Sequence, residues 1–497
     1  MMIRHLTGAA LALPLLALGA CSADVDTKAT SPAMHAETSA KPMEKTTKAP
    51  KAAPNIIFIL VDDMGYGQLG VTGHPIIKTP NIDKLANEGI LFTQAYSGST
   101  VCSPSRISLM TGKDTGALHS NANTIKLRPQ DKTLAHMMSN VGYKTALFGK
   151  YGIGTTFGKT DPMTMGFDTW YGLLHNVTAH RQFPIMMFRD NDMQFIGPNK
   201  GGAEEAYAQE LFTDAAVDYI DSYEDKNPFF MFLSYTSPHA ELAAPKEFVA
   251  PYSGKFDETF YTGMSDPENK PMFAEYYPKP VAEPNATQAG MVAALDAYIG
   301  EVMTALENKG MAENTLVFFT SDNGPHEEGG ADPITIRASA PYRGGKRDLY
   351  DGGIHVPMIA HWPAKIKEGR VNDTPMAFAD ILPTLADLAE APKSAMDGLN
   401  PNGTSVLPVI VNPEAEIPER VLYWEFAQQL GDPNSGVVGT VKQAARRGDW
   451  KVIRLREDAQ IELYNIIADK SESKNLAGDY PEIAREFETM FNARLQD

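Results

Sequence analysis

The run Asn55-Ile56-Ile57-Phe58-Ile59-Leu60-Val61-Asp62-Asp63 decides how the rest of the chain is read. Large apolar residues succeed one another from Ile56 to Val61 without polar alternation, which describes a strand covered on both faces. Two carboxylates come directly after it. The same event recurs along the chain: Thr145 to Phe148 runs into Gly149 and Lys150, and Leu316 to Phe319 leads to Asp322 and Asn323. Phe229 to Leu233 leads through a proline-containing turn to His239. Helical patterns lie between these runs, over 81–88, 132–141, 206–223 and 288–309. Apolar strands alternating with helices predict an α/β fold, with a large mostly parallel sheet sandwiched by helices. In such sheets ligands bind beyond the carboxyl ends of the strands, so the polar residues after each run are expected to converge.

After about Gly398 the pattern changes. Strands are expected over 421–426 and 450–455 and a helix over 481–495. This reads as a smaller C-terminal α+β part with an antiparallel sheet, giving two units, 54–398 and 399–497.

Asp62, Asp63, Asp322 and Asn323 offer only hard oxygen ligands, which select calcium or magnesium over zinc. Calcium suits the irregular cage that carboxylates and an amide make. The most specific signal is Cys102-Ser103-Pro104-Ser105-Arg106 with Thr111-Gly112 after it. Pro104 suits the first turn of a helix. Cys102 is therefore expected just before a helix N-terminus, where free N–H groups and the helix dipole favour anions.

This C-x-P-x-R-x-x-x-x-T-G pattern resembles the signature of the formylglycine-dependent sulfatases, a family of the alkaline-phosphatase-like superfamily. The segments 55–67 (NIIFILVDDMGYG), 320–325 (TSDNGP) and Arg343-Gly-Gly-Lys346 with Gly352-Gly353 are similar to the family's metal-binding and lysine motifs. Trp450-Lys451-Val452 and Glu462-Leu463-Tyr464-Asn465 resemble its closing sheet. The resemblance implies that a maturation enzyme oxidises Cys102 to formylglycine, whose hydrate attacks the sulfur of a sulfate ester. It implies a metal held by Asp62, Asp63, the converted Cys102, Asp322 and Asn323. Arg106, Lys150 and Lys346 are then expected to stabilise charge, and His239 to protonate the departing oxygen. One departure stands out. The family usually reads Gly-Lys-Trp-His-Leu-Gly where this chain reads Gly149-Lys150-Tyr151-Gly152-Ile153-Gly154, so the histidine that helps activate the diol is absent. His180, or less favourably His175, is expected to fill that space from another loop. His326, Arg337, Arg343 and Arg347 lie near these motifs and could grip a sulfated sugar.

Composition sets outer limits. At 497 residues the chain can bury a large core, and its net charge of −18 opposes polyanions, so no nucleic-acid partner is expected. An anionic substrate must be drawn in by a local cluster of Lys and Arg. Arg4 and His5, the apolar run from Leu11 to Leu18 and Leu18-Gly19-Ala20-Cys21 read as an export signal with a lipidation site over 1–21. A plain signal peptide cut nearby is the alternative. Residues 22–53, rich in Ala, Thr, Lys, Ser and Pro, read as a flexible tether. The expected location is therefore the periplasm or the outer membrane, with contact to the membrane through the lipid alone. The chain holds two cysteines, so lipidation of Cys21 leaves Cys102 without a disulfide partner.

Sulfated carbohydrate fragments suit such an exported enzyme. Two rival functions remain open in the sequence. A phosphate or phosphonate ester hydrolase of the same superfamily would share the fold, although phosphatases of that group usually carry Asp-His where this chain has Asp322-Asn323. An inactive lipoprotein that only binds sulfated glycans would lack the modified residue or turnover.

Overall fold

The computed structural model describes residues 53–155, 157–176, 178–266, 271, 276–427 and 440–495. The expected export signal, Cys21 and all of the tether up to residue 52 lie outside the described residues.

Four strands expected from the sequence occupy the centre of one sheet. They are β1 (Asn55–Val61), β4 (Lys144–Gly152), β8 (Phe229–Ser234) and β9 (Thr315–Ser321). Around them lie β2 (Ile90–Phe92), β5 (Thr169–His175), β6 (Met186–Arg189), β7 (Asp192–Phe195), β10 (Met358–His361) and β11 (Arg370–Asn372). The order across this ten-stranded sheet is β11-β2-β10-β9-β1-β8-β4-β5-β6-β7. The five strands from β9 to β5 are parallel, whereas β10 runs antiparallel to both β9 and β2, and β6 to both its neighbours. The mostly parallel sheet is as expected, and the antiparallel flanks are an addition to that reading. A short pair, β3 (Ala95–Tyr96) with β12 (Met376–Ala377), stands apart.

Alternate residues of β1 feed two cores. Ile56, Phe58 and Leu60 pack with residues of helices α2 (Cys102–Thr111) and α3 (Leu134–Asn140), among them Leu109, Leu134 and Met137. Ile57, Ile59 and Val61 pack with α1 (Pro80–Glu88), α4 (Ala208–Asp221) and α5 (Pro284–Asn308) through Leu85, Phe212 and Leu295. Burying each such side chain stabilises the fold by about 1.5–3 kcal/mol relative to exposure, which explains a run with no polar alternation. Helix α5 is long and apolar enough to cross a membrane by length and composition, yet most of it is buried against this sheet.

Several boundaries differ from expectation. Strand β4 continues to Gly152, so Gly149 and Lys150 lie inside it. The continuation depends on Gly149, whose φ is 113° and whose absent Cβ would lie 1.9 Å from the carbonyl oxygen of Ser234. Gly149→Ala is expected to lower stability by at least about 2 kcal/mol, seen as an earlier urea midpoint with an unchanged slope. Helix α5 begins at Pro284 because proline is accepted in the first turn, and α4 is shorter at both ends than its apolar pattern.

The C-terminal strands β13 (Leu422–Ala427), β14 (Val441–Arg447), β15 (Trp450–Arg454) and β16 (Glu462–Asn465) form an antiparallel sheet in sequence order. One face meets Phe487 and Phe491 of the last helix, Pro481–Arg494. The other face, through Trp424, Ile453 and Tyr464, packs on Leu349, Tyr350 and Ile354. Those three residues belong to the segment just after Lys346, and so the second sheet supports the site built by the first.

Candidate active site

Four neighbouring parallel strands deliver the polar residues to one edge. Their ends are level because the register pairs Val61 with Ser321, Leu60 with Ser234 and Gly149 with Ser234. Asp63 then leaves β1 with a φ of 63°, a left-handed conformation that Asp tolerates better than most residues. Its backbone N–H donates to Asp322 Oδ1 at 3.1 Å, and its Oδ1 accepts from Asn323 Nδ2 at 2.6 Å.

Cys102 is the first residue of α2, with Val101 as the cap, rather than a residue before the helix. Cys102 and Arg106 are four residues apart and share one face of that helix. Gly112 closes it in the left-handed conformation, which gives the Thr111-Gly112 pair of the motif its physical reason. Arg106 is buried. Its Nε donates to Asp322 Oδ2 at 2.8 Å, and its Nη1 donates to Ser234 Oγ at 2.7 Å and to the Lys150 carbonyl at 3.3 Å. Its Nη2 lies 3.6 Å from Asp62 Oδ1. Lys150, also buried, places its Nζ 2.6 Å from Asp62 Oδ2.

Asp62, Asp63 and Cys102 each present a possible ligand atom, and these atoms lie within 4.8 Å of one another. Asp62 Oδ1 and Asn323 Oδ1 are buried with no hydrogen-bond partner. Leaving such an oxygen unpaired costs about 1–3 kcal/mol, which a coordinated cation would offset. Burial, reinforced by Asp62, pushes the Asp322 carboxyl up to about 7. Burial would raise Asp62 as well, but Lys150, His239 and Arg106 hold it well below the usual carboxylate range. Clustered buried carboxylates with unpaired hard oxygens fit a divalent cation such as calcium or magnesium. Burial pushes the Cys102 thiol up, so the unmodified side chain is held protonated and is a poor nucleophile.

On the opposite side stands Lys346, with Nζ 2.7 Å from Asp63 Oδ2 and 2.8 Å from His239 Nε2. His239 Nδ1 faces the Ala240 carbonyl at 2.5 Å and therefore carries the ring hydrogen, leaving Nε2 to accept from the Lys346 ammonium. Burial and then Lys346 keep the imidazole well below its ordinary pKa. The ring of His180 stacks on that of His239 with centroids 4.3 Å apart. Its Nδ1 lies 3.4 Å from the Tyr277 hydroxyl, and its Nε2 is buried without a partner. His175 is exposed at the end of β5.

Three residues in this region carry no signal in the sequence. Glu328 accepts from Arg347 Nη2 at 2.6 Å and from Tyr277 Oη at 2.8 Å, and lies 3.7 Å from Lys346. Lys126 and Asn176 stand beside Cys102 and Gly152. Loop geometry alone brings them there. Of the basic residues considered for sugar binding, His326 is committed to the Pro238 carbonyl and the Glu328 N–H, at 3.1 and 3.0 Å. Arg343 stacks on Tyr350 and donates to the Glu472 carbonyl at 2.9 Å. Arg337 is exposed.

The loop carrying Lys346 is fastened from both sheets. Lys346 N–H donates to the Pro325 carbonyl and Arg347 N–H to that of Thr100. Further on, Asp351 accepts from Lys451 Nζ at 2.6 Å, while Glu472 accepts from the Asp351 N–H at 2.6 Å and pairs with Lys451 at 2.8 Å. All three side chains are buried.

Comparison with known proteins agrees with this geometry. N-acetylgalactosamine-6-sulfatase of Mus musculus is 30% identical over 383 residues, covering 70% of this chain; the match spans 65% of the mouse protein. N-acetylgalactosamine-6-O-sulfatase of Bacteroides thetaiotaomicron is 26% identical over 516 residues, covering 88% of this chain and 93% of its own. The crystal structure of Ps i-CgsB in complex with k-i-k-neocarrahexaose superposes with a TM-score of 0.69 at 28% identity, covering 88% of this chain and 92% of that one. The family model of the N-sulphoglucosamine sulphohydrolase C-terminal region matches residues 344–497, and that of the sulfatases matches residues 54–391. With its signature helix, its paired strand-end carboxylates and most of its length so matched, the chain belongs to the sulfatase family.

Proposed function

We propose that this protein hydrolyses sulfate esters of sulfated carbohydrates, with residue 102 converted to formylglycine by a maturation enzyme and with calcium, rather than magnesium, at the carboxylate cluster. The observation that carries this reading is a buried Cys102 at a helix N-terminus, with Asp62 and Asp63 presenting ligand atoms within 4.8 Å of its sulfur and of each other. Relatives named as N-acetylgalactosamine-6-sulfatases support a sugar substrate. The reading of residues 1–21 as an export signal ending in a lipidation site supports a lipid-anchored protein outside the cytoplasm.

Hydrated formylglycine supplies a geminal diol, one oxygen for attack on sulfur and the other for release of sulfate. Asp62, Asp63, Asp322 and Asn323, with residue 102, would hold calcium, which would supply Lewis-acid stabilisation of negative charge. The chain's own side chains do the rest. The N-terminus of α2 favours an anion at residue 102. Lys150 and Lys346, each in contact with an Asp of the cluster, are placed to hold negative charge on the transferring group. Arg106, tied to Asp322, fixes the floor of the site. His239 has Nδ1 committed to a carbonyl, which leaves Nε2 to face the departing oxygen; Nε2 accepts from the Lys346 ammonium, so the proton it passes on is one relayed from Lys346. His180, expected from the sequence beside Gly152, instead stacks on that ring and is placed to hold its orientation.

Mass analysis of the peptide containing residue 102, after co-expression with a formylglycine-generating enzyme, tests this reading directly. Retention of the thiol would remove the mechanism. Turnover of aryl sulfate should exceed that of aryl phosphate and phosphonate esters; the reverse preference would move the protein to the phosphoester side of its superfamily. After chelation, returning calcium is expected to raise the thermal midpoint more than equal magnesium. The stabilisation should reach about 2.7 kcal/mol at a hundredfold excess over Kd, and no shift with either ion would count against the metal site.

A further inference from the structure

Gly152 occupies the place where a family histidine is expected, and its backbone disfavours one. Its φ is 75°, and a Cβ built there would lie 3.2 Å from Lys150 Cε. A side chain at this position is strained by both conformation and contact. The adjoining space is taken from the neighbouring strand. Strand β5 pairs His175 with Gly152, so Asn176 leaves the strand end beside the glycine, with its Oδ1 3.6 Å from that Cβ position. Asn176 Nδ2 donates to Cys102 Sγ at 3.8 Å, and Oδ1 is buried without a partner. Lys126 closes the arrangement from behind, with Nζ donating to the Gly152 carbonyl at 2.7 Å and to Ser103 Oγ at 3.4 Å.

We propose that Asn176 is a further catalytic residue, whose amide touches the nucleophile at residue 102 and orients it in place of the missing histidine. The inference rests on the formylglycine reading above. An amide has one donor face and one acceptor face. The hydrated residue 102 has two hydroxyl groups in place of one sulfur, so Nδ2 can donate to one oxygen while the unpaired Oδ1 accepts from the other hydroxyl. Asn176 takes no proton; it fixes which oxygen faces the sulfur and favours the hydrated form. Lys126 is a positioning residue, holding Gly152 and Ser103 so that Asn176 reaches the nucleophile.

The test uses the full chain co-expressed with a formylglycine-generating enzyme, and mass analysis first establishes conversion in the wild type. Absence of conversion there would sink the formylglycine reading itself. With conversion in hand, Asn176→Ala is expected to lower kcat by about 10²-fold with KM within about threefold. An aminooxy probe should label its aldehyde faster, because less of it is hydrated. Asn176→Ser, which keeps one hydrogen-bonding group, should fall between the two and serves if the alanine variant does not fold. Wild-type kcat together with wild-type labelling in either folded variant overturns the proposal. So does a His180→Gln variant that reproduces the faster labelling while Asn176 variants do not.

Discussion

Cys102→Ala is expected to abolish sulfate ester turnover, by at least about four orders of magnitude, while leaving the fold intact. Cys102 is buried, and its hydrogen-bond contact is the weak 3.8 Å approach of Asn176, so alanine removes one atom from a small space. Its cost in stability should be near that of other small core truncations, about 1 kcal/mol. The cost in rate is of another order, since the proposed nucleophile is made from this side chain and the described residues hold no second cysteine to replace it. A far-ultraviolet spectrum and thermal midpoint close to wild type, with no turnover of aryl sulfate, would fit. Turnover within tenfold of wild type would mean that another group attacks the sulfur.

The largest loss of stability is expected from Arg106→Met. The guanidinium is enclosed among Asp322, Asp62, Ser234 and the Lys150 carbonyl. Methionine fills much of the volume but leaves two buried carboxylates with less opposing charge. Breaking a buried pair in this way costs about 3–5 kcal/mol. Asp322 is the more exposed to this loss, because burial and Asp62 already push its carboxyl up to about 7 and Arg106 opposes that rise. Without the arginine its proton should be held to a higher pH. The folded pKa is then raised further above the unfolded value, so the stability deficit should shrink as the pH falls from 8 towards 5. Urea titrations of wild type and variant at both ends of that range provide the check. A deficit that stayed the same or grew on acidification would show that the carboxylate pair is not the source of the cost.

Where burial dictates composition, the sequence is most legible. Ile56 to Val61 can only be a covered strand, and covered parallel strands present their C-terminal neighbours at one edge, so Asp62, Lys150, His239 and Asp322 are expected together and lie together. Local conformation is less legible. Lys150 is expected beyond a strand end but lies within β4, because Gly149 lets the strand approach Ser234 too closely for any side chain. Cys102 is expected before its helix and is its first residue. Strand β10 is four residues long and comes after a glycine-rich loop, so its antiparallel pairing with β9 has no marker. Asn176, Lys126 and Glu328 are hidden for a different reason. Each is an ordinary loop residue by composition, and its distinction is a neighbour far away in the chain.

The buried triad of Lys451, Asp351 and Glu472 ties the loop of Lys346 to residues translated long after it. A nascent polypeptide that has reached only the end of the large sheet therefore still lacks the ammonium group that fastens this loop. Full fastening of the Lys346 loop is therefore expected only once residues 451 and 472 have been made. A fragment ending before Lys451 should remain a chaperone client, whatever the integrity of its signature helix.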